Sequence, residues 1–290
     1  MTSQSHGLHV VPSGTALGTD DVEEIEMDLL LEAIHRAYHI DFRNYARSSL
    51  KRRLWRRAHQ ENVETLSALQ ERVLRDPMCM ERLLRDLSVN VTSMFRDPSF
   101  YRAFRTKVVP MLKTYPFLRV WHAGCSTGEE VYSIAILLRE EGLLDRTRIY
   151  ATDVNASVID QARAGVFPLA KMREYTKNYM DAGGSSSFSD YYVTAYEGAR
   201  FQQSLMENTV FAEHNLASDA SFNEFNVIMC RNVMIYFAKP LQDHVHDLFY
   251  KSLGMFGVLA LGHKESLKFS RHEESYEVLD PLEKLYRRIA

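Results

Sequence analysis

The chain holds 290 residues, 46% hydrophobic and 25% charged, with a formal net charge of -3. This length gives one large or two modest domains with a buried core, and the charge argues against a globally basic nucleic-acid binder. Three scattered cysteines, Cys79, Cys125 and Cys230, argue against a disulfide framework or a cysteine zinc site and fit a reducing cytosol. His244 and His246 lie two apart in a helical stretch and point to different faces, so no metal site is expected. Neither a secretory signal nor an apolar run of about 18 residues is visible, which predicts a cytoplasmic protein without membrane insertion.

Residues 1–21, rich in Ser, Thr and Gly at their start, read as a flexible arm. From Val22 to about Pro110 the pattern is helical. Two stripes, Ile25, Leu29, Ala33, Ala37 and Leu30, Ile34, Tyr38, recur at i, i+4 spacing. A second helix is predicted from about Asp41 to His59, with Phe42, Tyr45, Ala46, Leu50 and Leu54 on one side, and shorter helices over 63–74 and 78–87. Asp97-Pro98 reads as a helix start, with Asp as N-cap and Phe100, Phe104 and Val108 turned inward.

Beyond Tyr115-Pro116, strands alternate with helices. The predicted strands are 118–123, 149–152, 209–213, 225–230 and 258–261; the helices are 129–139, 156–164 and 240–253. This alternation predicts a parallel sheet with covering helices. A hairpin around Asp280-Pro281 should close the sheet edge. About 168–208 reads as an insertion carrying a small antiparallel unit, with short strands over 191–196 and 199–205.

The strongest local signal is the stretch 118–130, LRVWHAGCSTGEE, a strand entering a glycine turn and then a helix. Gly124 and Gly128 permit close backbone approach to a ligand at a helix N-terminus. Asp153 follows 29 residues after Gly124, at the end of the next strand, where an acid accepts hydrogen bonds from a ribose. The spacing fits a dinucleotide GxGxxG fingerprint poorly. Gly124-Cys125-Ser126-Thr127-Gly128 formally matches the GxSxG hydrolase elbow, with Asp153 and His263 downstream in the right order. A hydrolase sheet, however, needs strands before its nucleophile, and everything upstream here is helical.

The chain resembles the CheR chemotaxis-receptor methyltransferases from about residue 23 onward. The resemblance rests on SVNVTSMFRDP at 88–98, AGCSTGEEVYS at 123–133, ATDVN at 151–155, MCRNVMIYF at 229–237 and GHKES at 262–266. It implies a class I, Rossmann-like α/β methyltransferase domain over 91–290, a small all-helical N-terminal domain over 22–90, and an inserted antiparallel β-subdomain. The implied activity is O-methylation of glutamate side chains on chemoreceptors with S-adenosyl-L-methionine, leaving S-adenosyl-L-homocysteine. The implied partner is the cytoplasmic signalling domain of methyl-accepting receptors, with no nucleic acid, and the enzyme is expected as a monomer. Two alternatives stand beside this reading: a catalytically silent S-adenosylmethionine-binding docking protein, and a serine hydrolase using Ser126.

Residue by residue, the resemblance implies that Asn90, Thr92 and Arg96 contact the cofactor, with Arg96 next to the reacting methyl group. Glu130 would meet the amino-acid end, Asp153 the ribose, and Asn215 and Leu216 the adenine. Gly124 would also bind the cofactor, as would Arg231 and Asn232 at the end of the fourth strand, and Tyr236 would face the substrate. Gly124, Asp153, Asn215 and Asn232 are all placed beyond the carboxyl ends of strands, where open α/β sheets bind ligands. A carboxylate is ionised at neutral pH and needs no general base, so Arg96 and Tyr236 would serve to orient it.

Arg43, Arg47, Lys51, Arg52, Arg53, Arg56 and Arg57 crowd the second helix. A solvated face, a nucleic-acid patch and a docking surface for an acidic protein all fit such a run. The resemblance implies the last, with Arg43, Arg47, Arg53, Arg56 and Arg57 meeting the acidic methylation region of the receptor.

Overall fold

The computed structural model describes residues 18–88, 91–195 and 198–290. The helices α1 (Thr19–Tyr38), α2 (Arg47–Gln60), α3 (Leu66–Arg75) and α4 (Pro77–Leu87) form a bundle. Its own core includes Met27, Leu30, Ile34, Leu50, Leu54, Leu69 and Leu83. Thr65 caps α3 by accepting from Ala68 N–H, and Asp76 caps α4 by accepting from Met78 N–H ahead of Pro77. Of the two stripes expected on α1, the one with Leu30 and Ile34 is buried; Ile25 and Leu29 are exposed.

The second helix begins at Arg47, six residues later than the sequence predicts. Residues 44–46 run extended instead, pairing antiparallel with the far domain. Ala46 N–H donates to Tyr236 O at 2.8 Å and Ala238 N–H to Asn44 O at 2.9 Å. These groups cannot also make helical i→i−4 bonds, so cross-domain pairing overrides local propensity. The bundle is thereby fastened beside Tyr236.

Next come α5 (Pro98–Ala103), a π-helical turn over Phe104–Val108, and α6 (Val109–Leu112), burying Phe100, Phe104 and Val108 as expected. Asp97 stands at the N-cap position of α5 with Pro98 first in the helix, as expected, but its side chain does not cap it. It lies in the left-handed region at φ 57° with no cap bond, and its carboxylate goes to Arg231 instead.

The α/β part then runs β1 (Leu118–Ala123), α7 (Glu129–Glu140), β2 (Thr147–Asp153), α8 (Ala156–Ala164), β3 (Val166–Phe167), α9 (Met172–Asp181), β4 (Tyr192–Ala195), β5 (Gly198–Phe201), β6 (Thr209–Glu213), β7 (Phe225–Cys230), α10 (Lys239–Ser252), β8 (Leu253–Leu261), β9 (Tyr276–Asp280) and β10 (Leu285–Arg288). The main sheet has the order β6-β2-β1-β7-β8-β10-β9. Strands β6 to β8 in this order are parallel, and β10 is antiparallel to both neighbours. The expected hairpin therefore closes one edge.

The insertion holds a second sheet, β3-β5-β4, which recruits Val166–Phe167 from ahead of it, and also the helix α9. Its aromatic side chains pack on the turn ahead of α5 and on α7: Phe95 meets Tyr179 edge-on, and Tyr132 meets Phe167 and Phe201. The chain leaves β1 for β2 and β6 on one side and returns to β7 on the other. That reversal opens a crevice at the carboxyl ends of β1 and β7, the position favoured for ligands in open sheets.

Candidate functional site

A cavity of about 330 Å³ fills this crevice. Thr92, Arg96, Gly124, Glu130, Asp153, Asn215, Leu216, Arg231, Asn232 and Tyr236 all line it. Of the expected cavity residues, Asn90 lies outside the described residues.

The turn after β1 is built by backbone conformation. Gly124, Ser126 and Gly128 have φ of 81°, 51° and 97°, and Gly124 and Cys125 N–H both donate to Thr152 O. A Cβ on Gly124 would stand 2.6 Å from Val233 Cγ2, across the β1/β7 crevice. Glycine is needed there on both counts.

Asp153 is buried at the end of β2. Its Oδ2 accepts from Ser126 N–H at 3.0 Å and its Oδ1 from Asn155 N–H at 3.1 Å. Burial pushes its carboxyl up from the ordinary value, and these backbone donors oppose that.

Glu130 heads a charged chain. Burial disfavours its ionisation, but the His122 bond and the Arg231 charge outweigh this and hold its carboxyl below the usual value. Oε1 lies 3.1 Å from His122 Nδ1, and Oε2 accepts from Arg231 Nη1 at 3.1 Å. The side chain of Arg231 is 1% exposed; Nη2 donates to Asp97 at 2.9 Å, and its guanidinium carbon sits 3.9 Å from the Phe100 ring centroid. Arg231 still lines the cavity, but its guanidinium is committed to Glu130 and Asp97. Arg231 faces inward and ties α7 to the turn that carries Arg96.

Asn215 N–H donates to Asp219 and its Oδ1 accepts from Ala217 N–H, making a turn. Its Nδ2 is buried without a partner while the residue lines the cavity. An unsatisfied buried donor there asks for an acceptor, as a heteroaromatic base provides. Together with the acids at Asp153 and Glu130, this donor set fits a nucleoside bearing hydroxyls at one end and an ammonium at the other.

Arg96 and Tyr236 are partly exposed, unlike Asp153. Arg96 Nη1 donates to Val91 O at 3.1 Å. The Tyr236 ring lies under the Arg53 guanidinium of α2, 5.0 Å from its centroid. Arg53 also donates to Leu87 O at 2.6 Å.

The other expected docking arginines are largely neutralised within the bundle, which corrects the picture of a free basic face. Arg43 pairs with Asp41 and Glu32, Arg47 with Glu24 and Asp28, and Lys51 with Glu23. Arg56 pairs with Asp86 at 2.9 Å while keeping 57% of its side chain exposed. Arg57 is 11% exposed and pairs with both Asp86 and Glu61. The acids of α1 and α4 sit close in space but far in sequence from α2.

Two features escaped the sequence. Tyr45, assigned to a helix stripe, lines the cavity from the bundle side, packed edge-on against Phe237. Glu265, buried in the GHKES stretch, accepts four backbone N–H bonds of 2.6–2.9 Å from Gly262, Asn232, Val233 and Met234. It holds the loop after β7, where Asn232 has φ 63°. A glutamate in a motif signalled importance but not this role. Of the residues in the hydrolase reading, Asp153 bonds backbone amides and His263 bonds Glu283 at 2.8 Å.

Comparison with known proteins agrees with this geometry. The model of the CheR methyltransferase SAM-binding domain matches residues 90–281, and that of the CheR all-alpha domain matches residues 25–88. A Pseudomonas putida relative named as the methyltransferase Cher3 is 50% identical, covering 91% of this chain and 97% of that protein. Chemotaxis protein methyltransferase 2 of Pseudomonas aeruginosa is 32% identical over 68% of this chain and 71% of its own length. The chemotaxis protein methyltransferase of Listeria monocytogenes is 26% identical over 85% of this chain and 92% of its own. The chain belongs to the CheR methyltransferase family, with a class I, S-adenosylmethionine-binding α/β domain behind an all-helical one.

Proposed function

We propose that the protein methylates glutamate side chains on the cytoplasmic signalling domain of chemoreceptors, acting in the cytosol. One observation carries this reading: an arginine and a tyrosine, the partly exposed Arg96 and Tyr236, line the same cavity as the acids Asp153 and Glu130. When bound, S-adenosylmethionine supplies a methyl group already activated on a sulfonium, so transfer to an ionised carboxylate requires no proton to move. Asp153 would hold the ribose hydroxyls, Glu130 the ammonium, and Asn215 and Leu216 the adenine, with Thr92, Gly124 and Asn232 bordering them. Arg96 and the Tyr236 hydroxyl would fix the unreacting oxygen of the acceptor carboxylate, so that the other oxygen faces the methyl carbon in line. The bundle, paired to residues 236–238, shields that carboxylate from water.

Receptor docking fits α2 at fewer positions than its sequence suggests. Arg53 beside Tyr236 and the exposed Arg56 are the residues placed to meet an acidic receptor helix. Arg43, Arg47 and Arg57 hold the bundle together instead.

The test uses labelled S-adenosylmethionine and a receptor cytoplasmic fragment. The expected product is an alkali-labile methyl ester, released as methanol and lost when the receptor glutamates are changed to Gln. Alkali-stable label, or cofactor binding with no transfer to receptor, would overturn the reading.

A further inference from the structure

Arg96 sits in an unusual piece of backbone. Phe95 and Asp97, on either side of it, both lie in the left-handed region, at φ 50° and 57°. Non-glycine residues are uncommon there, and two within three positions mean that surrounding structure enforces the turn. Three anchors do so. Phe95 N–H donates to Ser133 Oγ of α7 at 2.9 Å, and the Phe95 ring is buried against Tyr101, Tyr179 and Phe188. Arg96 N–H donates to Ser93 O at 3.3 Å. The Asp97 carboxylate accepts from Arg231 Nη2 at 2.9 Å.

The third anchor differs from the others because Arg231 leads elsewhere. The same guanidinium donates to Glu130, which also meets His122. The planar fork of arginine can bond two carboxylates at once, and Phe100 beneath it fixes its plane. The chain Asp97–Arg231–Glu130 thus joins the turn bearing Arg96 to an acid of the cavity lining.

We propose that Asp97 and Arg231 are positioning residues: the Asp97–Arg231 ion pair sets Arg96 against the acceptor carboxylate and keeps it in register with Glu130. This rests on the reading of Arg96 as the residue that orients that carboxylate. It gives the Arg231 guanidinium a role exerted through Asp97 and Glu130.

The test is a double-mutant cycle in the full chain, reading kcat and KM with a receptor fragment, S-adenosylhomocysteine affinity by calorimetry, and thermal stability. Asp97→Asn suits the cycle because asparagine tolerates the left-handed turn while removing the charge. It is expected to lower kcat about 10- to 100-fold with S-adenosylhomocysteine affinity nearly unchanged. In an Arg96→Ala background the same change should cost almost nothing, since the group it positions is gone. Arg231→Lys keeps a charge for Glu130 but loses the fork, and should lower kcat in the same way. Equal losses from Asp97→Asn in both backgrounds, unchanged kcat, or a fall in cofactor affinity as large as that in kcat would each overturn the proposal. Arg96→Ala with full turnover would be a separate failure, that of the catalytic reading of Arg96, and would leave the ion pair nothing to position.

Discussion

The Arg53 guanidinium of the helical bundle lies 5.0 Å from the centroid of the Tyr236 ring in the methyltransferase domain. Cation and phenol are thus brought together across the domain junction, beside the backbone pair of Ala46 and Tyr236. If both face the acceptor, their variants should affect transfer and spare cofactor binding. Tyr236→Phe is expected to lower kcat with S-adenosylhomocysteine affinity unchanged. Arg53→Glu combined with Arg56→Glu should raise the receptor KM and flatten its salt dependence, because opposed charges act on encounter and are screened. Steady-state kinetics at low and high salt check this. Wild-type KM at both salts would remove α2 from receptor docking.

The cofactor end is tested at Asp153 and Asn215. Losing a buried charge-assisted hydrogen bond costs about 1.5–3 kcal/mol, roughly 10- to 100-fold in affinity. Asp153→Ala should weaken S-adenosylhomocysteine binding by that factor. Asp153 also holds Ser126 and Asn155 N–H, so some stability should be lost as well. Asn215→Ala removes the unpartnered Nδ2 together with the Oδ1 that holds Ala217 N–H, so it should weaken binding with a smaller loss of thermal stability than Asp153→Ala. Calorimetry and melting curves separate the two, and unchanged affinity in both variants would displace the assigned site.

Gly124→Ala addresses the turn. The new methyl would meet Val233 at 2.6 Å on a backbone with φ of 81°. The expected outcome is lost cofactor binding together with a lower melting temperature. Trimming Val233 to Ala should relieve the steric part and leave the conformational part. No gain in binding from the second change would show that the contact with Val233 is not what matters.

Much of this arrangement was legible in the sequence, and the exceptions share a cause. The strands 118–123, 209–213 and 225–230 match the structure residue for residue, because hydrophobic runs between turn signals are local information. The residues at strand ends fell into one cavity for the same reason: the topology of an open sheet converts order along the chain into position. The side-chain partners of Asp97, Arg231 and most arginines of α2 were not legible because they lie elsewhere in the chain. Asp97 has the sequence of an N-cap, yet Arg231, 134 residues away, takes its carboxylate. Tyr45 has helical spacing, yet the pairing with Phe237 makes its backbone extended. No local pattern records such long-range competition for one polar group.

The last prediction concerns acid stability of the bundle. Glu61 is buried among Arg57, Arg72 and Arg82, with Arg82 Nε donating at 2.7 Å. The Arg82 bond first, and the neighbouring arginine charges after it, outweigh burial and hold its carboxyl below the ordinary value of 4.5. A carboxylate lowered in the folded state binds fewer protons there than in the unfolded chain. Its contribution is therefore complete above the unfolded value near 4.5 and is lost as pH falls through the lower folded value. Glu61→Gln should lower stability at neutral pH, by about 1–3 kcal/mol for a buried charge-assisted bond. The difference from wild type should shrink between pH 5 and pH 3, as the wild-type carboxylate itself becomes neutral. Thermal melts followed by circular dichroism across that range measure both effects. A variant that stays equally far below wild type at every pH would show that Glu61 contributes through shape rather than charge.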